Sequence, residues 1–125
     1  MADWGPDADP AERGRLTVRQ RAVERIAVTA SLGADGVHRH GTSLGRLAGR
    51  ELPRADVEVA GDHVRASVDV AAEWGRTLAT VADNVRRDVA EALSTQAGLT
   101  VDGVTVHVAA VIAPGEGDTT RRRLS

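Results

Sequence analysis

The clearest pattern in this chain is an alternation of apolar and polar residues on both sides of a short turn. Apolar residues alternate with polar ones over 57–59 and again over 64–70, and Gly61-Asp62 separates the two segments. A two-residue turn between alternating segments predicts a β-hairpin. Its register pairs Ala60 with His63, Val59 with Val64, Glu58 with Arg65, and Val57 with Ala66. The apolar pairs then share one face, and the charged pair Glu58–Arg65 lies on the other.

Two further segments carry apolar residues at helical spacing. The first segment, of about 13 residues, has its apolar stripe at Val23, Ile26, Ala27 and Ala30. The second begins near Thr77, and its stripe is formed by Leu78, Val81, Ala82, Val85, Val89, Ala92 and Leu93. Gly33 and Gly36 follow the first stripe and Gly98 follows the second, and such glycines are typical of helix ends. Asp83 and Arg87 have the i, i+4 spacing of a favourable ion pair on the outer side of the second helix.

The segment ahead of the first helix has two competing interpretations. The alternation of Leu16–Val18 predicts a short strand, whereas Thr17 and Gln20 have the spacing of a helix capping box. A capping box would end such a strand early, and the sequence does not decide between them. Residues 38–53 are rich in glycine and predict a loop, with a short strand near Arg46–Ala48.

The last strand pattern contains a break in phase. Residues 98–111 read G-L-T-V-D-G-V-T-V-H-V-A-A-V, and Val101 and Val104 are three apart, so a regular strand cannot direct both to one face. Asp102-Gly103 fits either a bulge, which would restore the phase, or a tight turn. His107 stands between two inward valines and is therefore predicted on the polar face.

The predicted order β-α-(β)-β-β-α-β indicates an α+β, two-layer sandwich, with two helices packed on one face of a small, mainly antiparallel sheet. The other face is predicted to carry His63, Arg65, Ser67, Asp69, Thr105 and His107. The domain is expected to span residues 14–114. Residues 1–13, with two prolines and four acids, predict a disordered acidic tail, and residues 115–125 a disordered tail that contains arginines.

Composition narrows the function classes. The 125 residues contain no cysteine, which excludes disulfides and thiolate metal sites. No apolar run is long enough to span a membrane, and the acidic N-terminus does not resemble a signal peptide, so the chain is expected in the cytosol. All 16 basic residues are arginine, and residues 14–114 carry no net charge. A neutral domain does not fit non-specific nucleic-acid binding, which requires a basic face.

Three groups of residues could in principle carry chemistry, and each has a simpler interpretation. His38 and His40 would supply only two metal ligands on a loop, where a site needs three or four. Ser67, Asp69 and His107 could share the polar face as a hydrolytic trio, but strand positions on an open face offer neither an oxyanion hole nor a pocket. The glycine-rich stretch 41–49 matches no phosphate-binding motif. We therefore expect no catalytic residue, no cofactor and no metal.

Binding is a better explanation of the charged residues. Arginines gather in the predicted loop and at its end, where they could contact an acidic partner or anionic lipid. Together with two residues of the polar face they form the predicted partner-binding set: Arg39, Arg46, Arg50, Arg54, Arg65 and His107.

A family resemblance rests on several of these segments. They are Gly14-x-Leu16-x-Val18, the helix with Val23 and Ile26-Ala27, Gly36-Val37, the valine-rich hairpin ending in Trp74-Gly75, and the helix with Val81, Val85 and Val89. The most specific segment is the last, G-L-x-V-x-x-V-x-V-x-V, with its break in phase. Over about residues 14–112 the chain resembles the alkaline shock protein (Gls-type) envelope stress response family. It departs from the usual family pattern at Arg19 and Trp74.

The resemblance implies a non-enzymatic bacterial protein of envelope stress response, cell-envelope homeostasis and general stress. Such a protein would be a scaffold, peripheral at the cytoplasmic face of the cell membrane and held there by a small integral membrane anchor protein. Self-association, or association with related family members, is also implied. The alternative is a small nucleic-acid- or ribosome-associated module, but the neutral domain has neither aromatic platform nor GXXG clamp, so no nucleic acid is expected.

Overall fold

A computed structural model describes residues 10–39 and 52–113. Its elements are α1 (Pro10–Gly33), β1 (Arg54–Ala60), β2 (His63–Glu73), α2 (Leu78–Thr95) and β3 (Thr100–Ile112). The strands form a sheet in the order β1-β2-β3, in which β1 is antiparallel and β3 parallel to β2. The predicted α+β class is confirmed. The sheet is mixed rather than mainly antiparallel, because α2 carries the chain back before β3 and so makes β3 parallel to β2.

The first helix differs most from the prediction. Leu16–Val18 is helical, so the predicted first strand is wrong, and α1 runs for 24 residues from Pro10. Proline suits a first helical position, since its missing N–H has no partner there. The described side chains before Val23 are exposed, which explains why the apolar stripe begins only at that residue. Residues 10–13, assigned to the acidic tail, are helical too; the other domain boundaries remain predictions.

The hairpin is confirmed in register. Each of the four predicted pairs between β1 and β2 is present. Gly61 has a φ of +62°, which glycine adopts without strain in a turn. The inward residues Val57 and Val64 are buried, as the alternation requires. Glu58 and Arg65 face each other, but within the described part of the chain no ion pair joins them.

The break in phase of the last strand is a bulge and not a turn. Val64 pairs with Val101, but the next residue, Arg65, pairs with Gly103, so Asp102 is the extra residue. The bulge lets Val101 and Val104 both pack against the core. The predicted strand near Arg46–Ala48 lies outside the described residues.

Both helices pack on one face of the sheet and enclose a core of small apolar side chains. The buried residues of α2 are Val81, Val85, Val89, Ala92 and Leu93. Leu78, which the stripe placed inward, is 45% exposed because it is the first residue of the helix. The predicted Asp83–Arg87 pair is wrong: Asp83 pairs with Arg86 at 2.6 Å and Arg87 with Asp88 at 3.3 Å.

The segment after α1 pairs with the last residues of β2, which extend beyond the part of β2 that pairs with β1. Val37 forms a bridge to Ala72. The N–H of His38 donates to the carbonyl of Ala71 at 2.8 Å, and the N–H of Glu73 donates to the carbonyl of Gly36 at 2.9 Å. These bonds hold the end of α1 to the last residues of β2.

Candidate functional site: the outer face of the sheet

The register sorts the polar side chains of the sheet into rows that cross the strands. One row contains Arg54, Asp69 and His107, one from each strand. We call the surface opposite the helices the outer face; it consists of Arg54, Asp56, Glu58, His63, Arg65, Ser67, Asp69, Asp102, Thr105 and His107. These side chains are exposed except for the half-buried Asp69. The polar face predicted from the alternation is therefore confirmed.

His63 and Asp102 form a close polar contact on this face. The Nδ1 of His63 lies 2.9 Å from the Oδ1 of Asp102, and its Nε2 lies 3.7 Å from the Oδ1 of Asp62. The hydrogen bond from the ring to Asp102 and the negative charge of that carboxylate raise the pKa of His63 above its ordinary value. The bulge places Asp102 in reach of His63, so the residue that restores the phase of β3 also provides the partner of the imidazole.

His107 also lies near an aspartate, but at a longer distance than His63 does. It is the direct neighbour of Asp69 across the parallel strands, and its Nδ1 lies 3.6 Å from the Oδ1 of the carboxylate. Ser67 lies on the same face but faces Thr105 in the next row. The three residues of the predicted trio thus share a face, while the imidazole is paired with the aspartate on an exposed surface.

The predicted partner-binding residues are only partly brought together. Arg54, Arg65 and His107 lie on the outer face, and Arg54 approaches Asp56 at 4.0 Å. Arg39 is exposed beyond the Val37 bridge. Arg46 and Arg50 lie outside the described residues, so the proposed arginine loop cannot be placed as a whole.

Other predicted or enclosed sites contribute little. The described ranges contain no group of three or more histidines, cysteines or acids that could hold a metal ion. His40 and the whole stretch 41–49 lie outside these ranges. An open groove of about 270 Å³ lies between the helices, away from the outer face. Its lining is Ala30, Gly33, Asp88, Glu91, Ala92, Thr95 and Gln96.

Two charged features were not found from the sequence. Arg76, between β2 and α2, pairs with Asp35 and, at 3.4 Å, with Glu73. Arg19 and Arg21 are exposed on the first half of α1, where no described carboxylate pairs with them. The spacing of the arginines was visible, but the interpretation of residues 16–18 as a strand hid the fact that they share one helix.

Comparisons with known proteins concern the family and the fold of the chain. A profile of the alkaline shock protein 23 family, described by a cell envelope-related function, matches residues 8–113. No curated protein matches the chain. Two solved variants of a domain titled MamM CTD, one triple and one single, share 17% and 16% identity with it. Each has a TM-score of 0.50 and covers 74% of this chain and 96% of its own; this likeness concerns the fold alone.

No helix in the described ranges is long and apolar enough to cross a membrane.

Proposed function

The chain belongs to the alkaline shock protein 23 family and shares its cell envelope-related function, and from this premise we propose that it is a non-enzymatic scaffold at the cytoplasmic face of the membrane. A small integral membrane protein would hold it there. The observation that carries the proposal is the family match over residues 8–113. Envelope stress response and envelope homeostasis are the processes that the scaffold would serve, and it would also associate with itself or with related family members.

The charge of α1 supports a position beside a membrane. Arg19 and Arg21 are exposed on the first half of the helix, and Val18 beside them is 69% exposed. Basic side chains near the cytoplasmic leaflet gain about 1 kcal/mol each from anionic lipids. The helix would therefore reinforce a partner-dependent attachment without inserting into the bilayer.

The outer face supports a contact surface rather than an active site. Its side chains are exposed except for the half-buried Asp69, and each of its two histidines lies within 4 Å of an aspartate on the neighbouring strand. Arg54 and Arg65 present cations among several carboxylates, an arrangement that gives a partner specificity through complementary charge. We propose that this face, with Arg39 and the arginines at 46 and 50, contacts the membrane partner.

Fractionation of native cells tests the proposal. The unsubstituted chain is expected in the membrane fraction, and the double variant Arg54→Glu/Arg65→Glu should move a large part of it to the soluble fraction. Arg87→Glu is the matched control, because Arg87 is also exposed but lies on α2. Circular dichroism of each purified variant shows whether the fold is retained.

Three results would contradict the proposal or one part of it. If the unsubstituted chain remains in the soluble fraction of cells, the proposed role as a membrane scaffold is wrong. Copurification with RNA at physiological salt, together with a soluble distribution, would favour the nucleic-acid- or ribosome-associated alternative. If Arg87→Glu releases the chain as strongly as the double variant, the contact does not lie on the outer face.

A further inference from the structure

The outer edge of β3 has no strand neighbour in the described part of the chain. In a parallel pair, the backbone groups of successive residues point alternately toward the partner strand and away from it. The N–H of Thr100 donates to the carbonyl of Asp62 at 2.7 Å, which fixes this alternation at the start of β3. With the bulge included, the register directs the backbone groups of Val104, Val106 and Val108 away from β2.

Arg86 of α2 confirms this direction and occupies one of the outward groups. Its Nε donates to the carbonyl of Val104 at 3.4 Å, while its Nη1 donates to Asp83 at 2.6 Å. Charged side chains at a strand edge discourage the addition of another strand. Among the described residues, no side chain bonds to the outward groups of Val106 or Val108, so within these ranges Arg86 protects only one of the three outward positions.

The side chains at this edge are also incompletely covered. Val104, Val106 and Val108 point to the helices and pack against the core, yet each is only half-buried. On the opposite edge strand, β1, the inward Ala55 and Val57 are buried, at 9% and 4% exposure, and only Val59, beside the turn, is half-buried. The core is therefore covered less completely along the β3 edge than along the β1 edge.

The spacing of helices and strands determines what can cover the exposed part of the core at the β3 edge. Packed helices lie about 8–10 Å apart, and neighbouring strands about 4.8 Å apart. Because α1 packs on β1 and α2 packs on β3, the outer half of α2 overhangs the edge by about the width of one strand. A second copy paired antiparallel through its own β3, with its helices on the same face of the joined sheet, would bring the two α2 axes within about 5 Å, which is too close.

We propose that the β3 edge binds a single extended segment of a partner protein, added as a fourth strand beneath the overhang of α2. The segment would bond to the backbone of Val106 and Val108. Its alternate residues would be apolar where they meet the half-exposed valines and polar on the outer face, beside Asp102 and His107. Ala82 and Ala90, one helical turn on either side of Arg86, leave room for those apolar side chains. This inference rests on the proposed function only in assigning the segment to the membrane partner.

A synthetic peptide tests the edge directly. The probe is Lys-Thr-Val-Thr-Val-Thr-Lys, and its control is Lys-Thr-Thr-Val-Val-Thr-Lys, which has the same composition without alternation. NMR hydrogen exchange on the full chain measures the amide protection of Val106 and Val108. The probe should slow the exchange of both amides. The amide of Val57 is the internal control: by the same register argument it also faces outward, but on the β1 edge, and its exchange should not change.

Three variants sharpen the test. Val106→Lys should abolish the effect, whereas Val59→Lys, an equally half-buried inward valine on β1, should retain it. Arg86→Ala should tighten peptide binding roughly two- to tenfold, the range that one hydrogen bond supplies, because the Val104 carbonyl is released. If Val106→Lys fails to fold, amide protection in the unsubstituted chain and peptide affinity in Arg86→Ala still test whether the β3 edge accepts a strand.

Two outcomes overturn the inference. Unchanged protection at the highest soluble peptide concentration shows that the edge does not accept a strand. Protection that rises with protein concentration in the absence of peptide shows that a second copy occupies the edge instead. Either result leaves membrane fractionation unaffected, so failure here is distinct from failure of the proposed scaffold function.

Discussion

Among the glycines that the structure describes, Gly36 should be the one at which a single methyl group is most damaging. It has a φ of +92°, and a Cβ built on it would lie 2.7 Å from the Cγ2 of Val81. Val81 is 1% exposed on the inner side of α2, so it has little room to move. We therefore predict that Gly36→Ala combines a backbone cost with an overlap inside the core.

The two costs can be estimated separately. Placing a side chain at positive φ costs about 1–2 kcal/mol, and overpacking a core costs about 1–3 kcal/mol. Gly36→Ala should thus lower the free energy of unfolding by about 2–5 kcal/mol. Gly75 is a matched control, because it has a φ of +88° with nothing within 4 Å of a built Cβ. Gly75→Ala should cost only the backbone part, about 1–2 kcal/mol.

Urea unfolding followed by circular dichroism measures both variants, and an unchanged m-value shows that only stability has changed. The double variant Gly36→Ala/Val81→Ala removes the overlapping methyl group, so Gly36→Ala should cost about 1–3 kcal/mol less in the Val81→Ala background. The reasoning is refuted if Gly36→Ala destabilises no more than Gly75→Ala. It is equally refuted if Val81→Ala leaves the cost of Gly36→Ala unchanged.

Two other residues give further predictions. Asp102→Asn should lower the pKa of His63 toward its ordinary value of 6.5, which an NMR titration of the imidazole measures, whereas Asp56→Asn should not. Since folding raises this pKa, the His63–Asp102 pair stabilises the fold below the unfolded-state pKa of His63, and this contribution is lost as pH rises through the folded-state pKa. Asp102→Asn should remove this pH dependence of the free energy of unfolding, measured in urea. If the pH dependence persists in Asp102→Asn, it comes from another group. Leu93→Ala, at a fully buried position, should cost about 2–5 kcal/mol in urea unfolding, and the 45%-exposed Leu78 gives the control Leu78→Ala, which should cost well under half as much.

The hairpin could be predicted in full because its information is local. The alternation decides which residues face inward, and the turn at Gly61-Asp62 fixes which residues are opposite each other. A shift of one residue would turn Val59 and Val64 toward water, so one register is strongly preferred. The outer face followed from the same alternation.

The first helix could not be predicted in full because none of the described side chains in its first half is buried. Pattern reasoning detects a helix through its buried stripe, and the stripe begins at Val23. Val18 is exposed and so gives no sign of which period the backbone follows. The alternation of Leu16 with Val18 was too short to distinguish a strand from a turn of helix.

The sequence by itself determined the α+β class, the hairpin register, the inward stripe of α2 and the polarity of the outer face, since each depends on residues close along the chain. Tertiary structure decided that Asp102 is the extra residue of a bulge, that it meets His63, and that His107 faces Asp69. These contacts join β2 to β3, which are separated by a whole helix, and their register depends on how α2 packs. That β3 lies at an edge of the sheet could likewise not be predicted from the sequence, because the alternation of side chains shows which face is buried but not which strand lies at the edge.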